Sequence, residues 1–188
     1  LPQNMMLRWF KQNAEFDNEV KVSFADDFGR LQAGMYKEWE FNHDGRLALI
    51  IICDQLTRAF YRGRKEAFMF DHISLGIAKR LNSKQSEYKK YRLVERLFIL
   101  LPFMHSENIE DCEMSVKMIC DNIEYAEQRH LDEVARQLIG LKKSAEQFVC
   151  ILKAFGRFPH RNDAMGRKNT VEEVEYFRTG MLPIKETN

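Results

Sequence analysis

The sequence predicts an all-α protein built from stacked antiparallel helical hairpins, about seven helices in all. Three observations carry that expectation. Apolar residues recur every three or four positions along most of the chain, no convincing alternating strand interrupts them, and the connections between periodic segments are short. Only four prolines punctuate 188 residues. A single helical domain over 1–188 is expected, with its core over about 9–178 and a flexible tail over 179–188.

The first helical pattern runs through Phe16, Val20, Phe24, Phe28, Leu31 and Met35, one stripe that the polar turn Asn42-His43-Asp44-Gly45 stops. A second helix is expected from near Arg46 to about Arg62, and its first half, Leu47 to Cys53, is apolar all round, as for a helix enclosed by others. Gly63 ends it, where a left-handed cap is favoured. A third helix, about Lys65 to Leu81, places Phe68, Ile73, Ile77 and Leu81 on one side, and a polar linker from Asn82 to Glu87 follows. The fourth, about Tyr88 to Leu101, is interrupted by Pro102. A fifth spans about Ser106 to Ala126, with Ser106 or His105 as its cap. A sixth spans about Arg129 to Ala154, with Gly140 as a bend. The last begins after Thr170, where Thr170 and Glu173 have capping-box spacing. No fixed repeat of roughly 34 to 45 residues is visible.

Composition narrows the function classes. Charged residues make up 30% and hydrophobic residues 45%, a globular mix, and 29 basic against 28 acidic side chains leave a net charge of +1. That balance gives no electrostatic footprint for nucleic acid, so no nucleic-acid partner is expected. Cys53, Cys112, Cys120 and Cys150 show neither a CxxC pair nor metal-ligand spacing, and they read as reduced thiols in a cytosol-like compartment. No apolar run approaches the roughly 18 residues of a membrane span, and no signal peptide is visible. The chain starts at Leu1 rather than Met, which raises an organellar (mitochondrial) location after presequence removal as the alternative to a cytoplasmic one.

Three constellations could carry chemistry. Asp54, Arg58 and Arg62 are four apart and share a helix face next to the most apolar helical segment. Asp54 is therefore expected to be at least half buried, with Arg58 as structural partner or as one wall of a pocket. His105 and Glu107 sit where two helices break, and a histidine beside a carboxylate suits a general base or a metal ligand. The segment Phe155-Gly156-Arg157-Phe158-Pro159-His160-Arg161-Asn162, continuing to Gly166-Arg167, packs arginines, a histidine and an asparagine behind a glycine–proline break. Such donors either grip a carboxylate or phosphate, or tie the segment to carboxylates of the body such as Asp54, Asp71 or Glu107. No serine elbow, cysteine–histidine pair or phosphate loop supplies a nucleophile or a cradle.

Taken with their order and spacing, several motifs resemble the family catalogued as domain of unknown function 924. They are Asp-Gln-x-x-Arg with Tyr-Arg-Gly, Ala-Phe-x-x-Asp (67–71), Leu-Pro-Phe-Met-His-Ser-Glu (101–107), and Phe-Gly-Arg-Phe-Pro-His-Arg-Asn with Gly-Arg and Thr-x-Glu-Glu (155–173). The similarity runs from Trp9-Phe10 to about Phe177. It implies a tetratricopeptide-like α-α superhelix and brings no reaction. It also implies that Asp54, Arg58, Arg62, Asp71, His105, Glu107, Arg157, His160, Arg161, Asn162 and Arg167 occupy shared polar positions. The chain departs from the pattern where Thr57 and Ala59 replace a proline and an asparagine. It also has Cys112 for a glutamine and Phe148 for a histidine, and the segment before Trp9 is shortened.

The expectation is a non-enzymatic binding or scaffold module, as a subunit of a larger assembly, with a protein partner or a homo-oligomer. The alternative is an enzyme that binds a small anionic metabolite through Asp54, Arg58, Arg62, Arg157, Arg161, Asn162 and Arg167, with His105, Glu107 and His160 as candidate acid–base groups. A metal held by His105, Glu107 and His160 ranks last, and neither metal nor cofactor is expected.

Overall fold

The computed structural model describes residues 13–183, and the motif residues Trp9 and Phe10 and the last part of the expected tail lie outside them. Among the described residues every regular element is helical. The chain divides into two compact units, one up to Pro102 and one from Phe103 onward.

In the first unit, α1 (Ala14–Ser23) is capped by Asn13, whose side chain accepts the N–H groups of Glu15 and Phe16 at 2.9 and 3.4 Å. The expected long stripe is two helices. Phe24 leaves helical geometry (φ −119°, ψ 12°) and α2 (Ala25–Gln32) starts beyond it. Val20, Phe28 and Leu31 are buried, but Met35 follows the end of α2 and is 66% exposed, so the stripe stops at Leu31.

A 3₁₀ turn, Lys37–Phe41, leads to Asn42, which closes that turn through its N–H to the Trp39 carbonyl and also opens the next helix, well beyond the end of α2. Its extended backbone and its side-chain bond from Gly45 N–H (2.7 Å) make it an N-cap. Glycine is required at 45, since a Cβ there would stand 2.4 Å from the Trp39 carbonyl oxygen. From this cap α3 runs through His43–Ile50, a π-helical stretch Ile51–Leu56, and Thr57–Phe60. Leu49, Ile50, Ile52 and Cys53 are buried, which fits the all-round apolar pattern.

The third expected helix is a 3₁₀ turn, Lys65–Phe68, followed by α4 (Asp71–Ser83), which buries Ile77 and Leu81. The expected linker contains α5 (Gln85–Tyr88). α6 (Leu93–His105) carries Pro102 in its interior, so Pro102 does not interrupt it. A proline removes one backbone hydrogen bond, and the buried flanks Leu100, Leu101, Phe103 and Met104 hold the helix through that point.

In the second unit the break after His105 leads to α7 (Ile109–Glu127). Its cap is Asn108, which accepts from Glu110 and Asp111 N–H at 2.8 and 3.1 Å, not Ser106 or His105. Ser106 instead donates to Asp111 Oδ2 at 2.9 Å. After a short turn, α8 (Asp132–Phe155) folds back on α7 as an antiparallel hairpin and passes through Gly140 unbroken. Cys112, Val149, Ile151, Leu152 and Phe158 form the buried cluster of this unit, with Tyr176 and Leu182 packed against it. Gly156 ends α8 in the left-handed conformation (φ 70°), which a residue with a Cβ rarely adopts. The 3₁₀ turn Pro159–Arg161 and the short α9 (Asn162–Met165) follow. The last helix, α10 (Val171–Thr179), opens on the expected capping box of Thr170 and Glu173. The described residues thus form ten helices, because the first stripe splits and two four-residue helices occupy segments read as linker or turn.

Candidate functional site

Asp54 lies in the π-helical stretch of α3, with its side chain 1% exposed. Widening the helix by one residue per turn makes room here, and Thr57 bonds back across it: its N–H and its hydroxyl (2.7 Å) both reach the Ile52 carbonyl. The proline that the family resemblance places at 57 has no N–H to give, and threonine supplies two donors in its stead. Arg58 approaches Asp54 at 3.3 Å, as its i,i+4 spacing predicts, and donates to the Asp54 carbonyl at 2.6 Å. The same guanidinium forks onto both oxygens of Asp71 at 2.8 and 2.9 Å and lies over the Phe68 ring at 5.5 Å. Gln55 also bonds Asp54. Arg62, one turn further on, forks onto Asp17 of α1. Cys53 next to Asp54 is fully buried, and burial pushes its thiol up to about 12, so it supplies no thiolate at neutral pH.

The carboxyl-terminal signature forms the larger cluster. Glu107 accepts the Phe158 N–H at 2.7 Å and a two-pronged bond from Arg167 at 2.8 and 2.9 Å. Burial raises its pKa, but those bonds outweigh that and hold the carboxyl below its ordinary range. Arg157 forks onto Glu173 at 2.7 and 2.8 Å and donates to the Lys168 carbonyl. Glu173, 1% exposed, also accepts Thr170 N–H (2.7 Å) and Asn162 Nδ2 (3.0 Å). The Arg157 bond first, then the Thr170 N–H, lower its pKa to about 2 against the opposing effect of burial. Arg161 donates to the His105 carbonyl at 2.8 Å and lies 4.8 Å over the Phe158 ring. Asn162 is fully buried and spends its other amide donor on Asn169 at 2.7 Å.

His160 is exposed as a residue, yet its ring lies against Phe158 (5.5 Å) and Phe148 (6.3 Å). Desolvation, then the charge of Arg161, lower its pKa to about 4. His105 and Arg167 act in the same direction and Glu107 opposes them, so these groups share one neighbourhood. A base neutral at pH 7 with so low a pKa has little proton affinity to use. Phe148, where the resemblance implies histidine, removes a polar group beside His160 and packs on Phe158 at 5.1 Å. Cys112, where it implies glutamine, is fully buried in the apolar cluster of the unit, and burial raises its thiol to about 11. Among the described residues no three His, Cys, Asp or Glu are disposed to hold a metal ion, so His105, Glu107 and His160 do not make such a set. All four cysteines are free thiols.

The structure thus brings Asp54, Arg58 and Asp71 together in the first unit. In the second it gathers His105, Glu107, Arg157, His160, Arg161, Asn162 and Arg167 with Glu173. Sequence reasoning missed Asp17, which lies far from Arg62 in the chain with no local signal, and it read Glu173 as a cap only. The capping-box spacing was the visible trace of that glutamate; its second role as the arginine's counter-ion had none.

These features define an all-helical protein whose arginine-rich motifs are matched by internal carboxylates. The chain belongs to the family described as bacterial protein of unknown function (DUF924), whose model matches residues 2–181. It is similar to a solved protein of unknown function from Agrobacterium tumefaciens, with 26% identity and a TM-score of 0.70, covering 90% of this chain and 87% of that one. No functionally curated protein matches it. Among the described residues no helix is long and apolar enough to cross a membrane.

Proposed function

We propose that the chain is a non-catalytic interaction module that holds a protein partner within a larger assembly. One observation carries this reading. Arg157 and Arg167, the donors best suited to an anion, spend their forks on Glu173 and Glu107. An incoming phosphate or carboxylate would have to displace a carboxylate already held by two-pronged bonds. An apolar face supports the same reading: Val171, Val174 and Phe177 of α10 are 82%, 55% and 51% exposed, and Met181 beyond it is 74% exposed. The tetratricopeptide-like stacking implied by the family resemblance belongs to this reading, since stacked hairpins offer grooves to partners.

The test has two arms. A thermal-shift screen of the full chain with phosphate, sulfate and dicarboxylates is expected to leave Tm unchanged. A photoreactive residue substituted for Val174 is expected to give discrete protein adducts in cells, while the same probe at the exposed Lys143 gives none. A saturable rise in Tm that disappears in Arg157→Ala or Arg167→Ala would overturn the reading.

One observation favours the alternative of a small-anion or metabolite site. Asp54 lies within a π-helical stretch and Arg58 just beyond it, a feature that recurs at functional sites. A Tm rise lost in Arg58→Ala but kept in Arg167→Ala would support that site in the first unit.

A further inference from the structure

We propose that a basic face of the first unit, formed by residues 79–96 with Phe41 at its edge, docks an acidic segment of the protein partner that carries one apolar side chain. This deepens the interaction-module reading and rests on it. From Lys79 to Arg96 the chain holds seven basic residues against Glu87 and Glu95, a net +5. The whole chain carries +1, so the remaining residues sum to −4 and the overall balance hides the asymmetry. The backbone under these cations is fixed. Arg96 of α6, 4% exposed, donates to the Tyr91 and Lys89 carbonyls, both at 2.8 Å, and lies 5.4 Å over the Tyr88 ring. Those bonds turn the loop's carbonyls inward, while Lys89, Lys90 and Arg92 stay exposed. Tyr91 is buried too, stacked on the His43 ring at 3.8 Å, and its hydroxyl donates to the His43 carbonyl at 2.8 Å. Arg46 bonds Glu87 at 2.8 Å, and Arg80 pairs with Glu40. Glu40 and His43 stand on either side of Phe41 in the chain, so these contacts hold Phe41, 84% exposed, beside the cations. With residues 37–46 counted, two basic and three acidic, the face keeps a net +4.

Charge and ring placement select the occupant. Arg92 is held by Glu95, and Lys84 lies 3.7 Å from Glu87, but Lys89 and Lys90 have no ion-pair partner among the described residues. Surplus charges on an ordered backbone suit a polyanion, since little entropy is lost in binding. A single-stranded nucleic acid stacks its bases on exposed aromatics, yet Tyr88 and Tyr91 are buried beneath this face. A membrane takes up a broad apolar face, whereas Phe41 is the one strongly exposed large hydrophobic residue within 37–46 and 79–96. One apolar anchor ringed by charge is the anatomy of a protein contact. Lysines meet aspartate and glutamate as point charges and need no forked geometry.

Fluorescence anisotropy of the full chain with a labelled peptide of alternating glutamate and serine around a central leucine tests this. Binding is expected in the micromolar range, weakening by about tenfold as salt rises from about 0.05 to about 0.5 M, and absent for the same peptide with glutamine in place of glutamate. Lys89→Glu combined with Lys90→Glu should abolish it. Should that variant fail to fold, Lys89→Gln with Lys90→Gln should still weaken binding by roughly tenfold. Lys117→Glu with Lys143→Glu makes the same charge change at exposed positions of the second unit and should weaken it by less than about twofold. Phe41→Ser is expected to weaken the leucine peptide by roughly threefold to tenfold and to leave a peptide with serine at its centre unaffected. No binding, equal losses from the two charge reversals, or a Phe41→Ser effect equal on both peptides would overturn the proposal. Tighter binding of oligo(dT) or of phosphatidylserine vesicles through the same lysines would overturn it as well, and would assign the face to nucleic acid or to a membrane. If the peptide does not bind while the Val174 probe captures a discrete protein, the basic face fails and the module reading stands; if neither is seen, both fail.

Discussion

Asp54 in the first unit and Glu173 in the second are both 1% exposed carboxylates facing an arginine, but they are assembled over different distances. The partners of Asp54 named above come from its own helix: Gln55 adjacent and Arg58 one turn on. Glu173 draws Arg157 from across the helix break, 16 residues away, and Asn162 from 11 residues away. Its neighbour Glu107 reaches further, over 51 residues to the Phe158 N–H and 60 to Arg167. A local pair costs little chain entropy and orients one helix. A distant set closes a long loop, and its bonds must offset the cost of that closure. The glycine–proline signature is therefore a fastening device, with its donors aimed at carboxylates of its own unit.

Breaking the distant set should have the largest effect. Glu173→Ala leaves the Arg157 guanidinium and the Thr170 N–H without their acceptor and is expected to cost about 3 kcal/mol, with loss of amide-exchange protection across residues 156–170. A cost below about 1 kcal/mol by urea unfolding would mean that the network does not hold the segment. Glu107→Ala should cost about 2 kcal/mol and free the same segment, because Glu107 also satisfies a backbone N–H. Asp54→Asn should leave protection of 156–170 unchanged, and equal deprotection by both substitutions would erase the contrast.

Acid provides the next test. The pKa of His160 is lowered from 6.5 to about 4, so the unfolded chain binds the extra proton between those values. Its contribution is full above pH 6.5 and is lost as pH falls through 4. Glu173, lowered from 4.5 to about 2, contributes fully above 4.5 and loses that contribution as pH falls through 2. Tm should therefore fall on acidification in two steps, the upper one smaller because His160 faces water. His160→Asn should remove the upper step and Glu173→Gln the lower. A Tm that is flat from pH 7 to 4 would exclude the histidine. The smallest effect belongs to Arg62→Ala, about 1 kcal/mol, since that side chain is 37% exposed but its loss takes an ion-pair partner from the buried Asp17.

Much of the fold was legible because its signals are local. Apolar periodicity marked α3, α4, α7 and α8, and the Thr170–Glu173 spacing marked the start of α10. Gly156 marked the end of α8, and the four-residue step from Asp54 to Arg58 marked their pairing. The errors have physical causes. The first stripe hid the turn at Phe24, since apolar spacing continues across it. Asn42 read as a stop because a cap belongs to two elements at once. Pro102 read as a break because proline weakens a helix locally, whereas its buried neighbours carry that helix onward.

The sequence by itself determined the helical class, the Thr170–Glu173 capping box, the helix end at Gly156 and the donors of the signature segment, since each depends on residues within a turn or two of one another. Only the tertiary structure decided which carboxylates those donors meet, that Arg62 finds Asp17, and that the stretch around Asp54 widens into a π-helix. Those outcomes depend on packing between segments tens of residues apart, where ion pairs are chosen by proximity in space and leave no spacing to read.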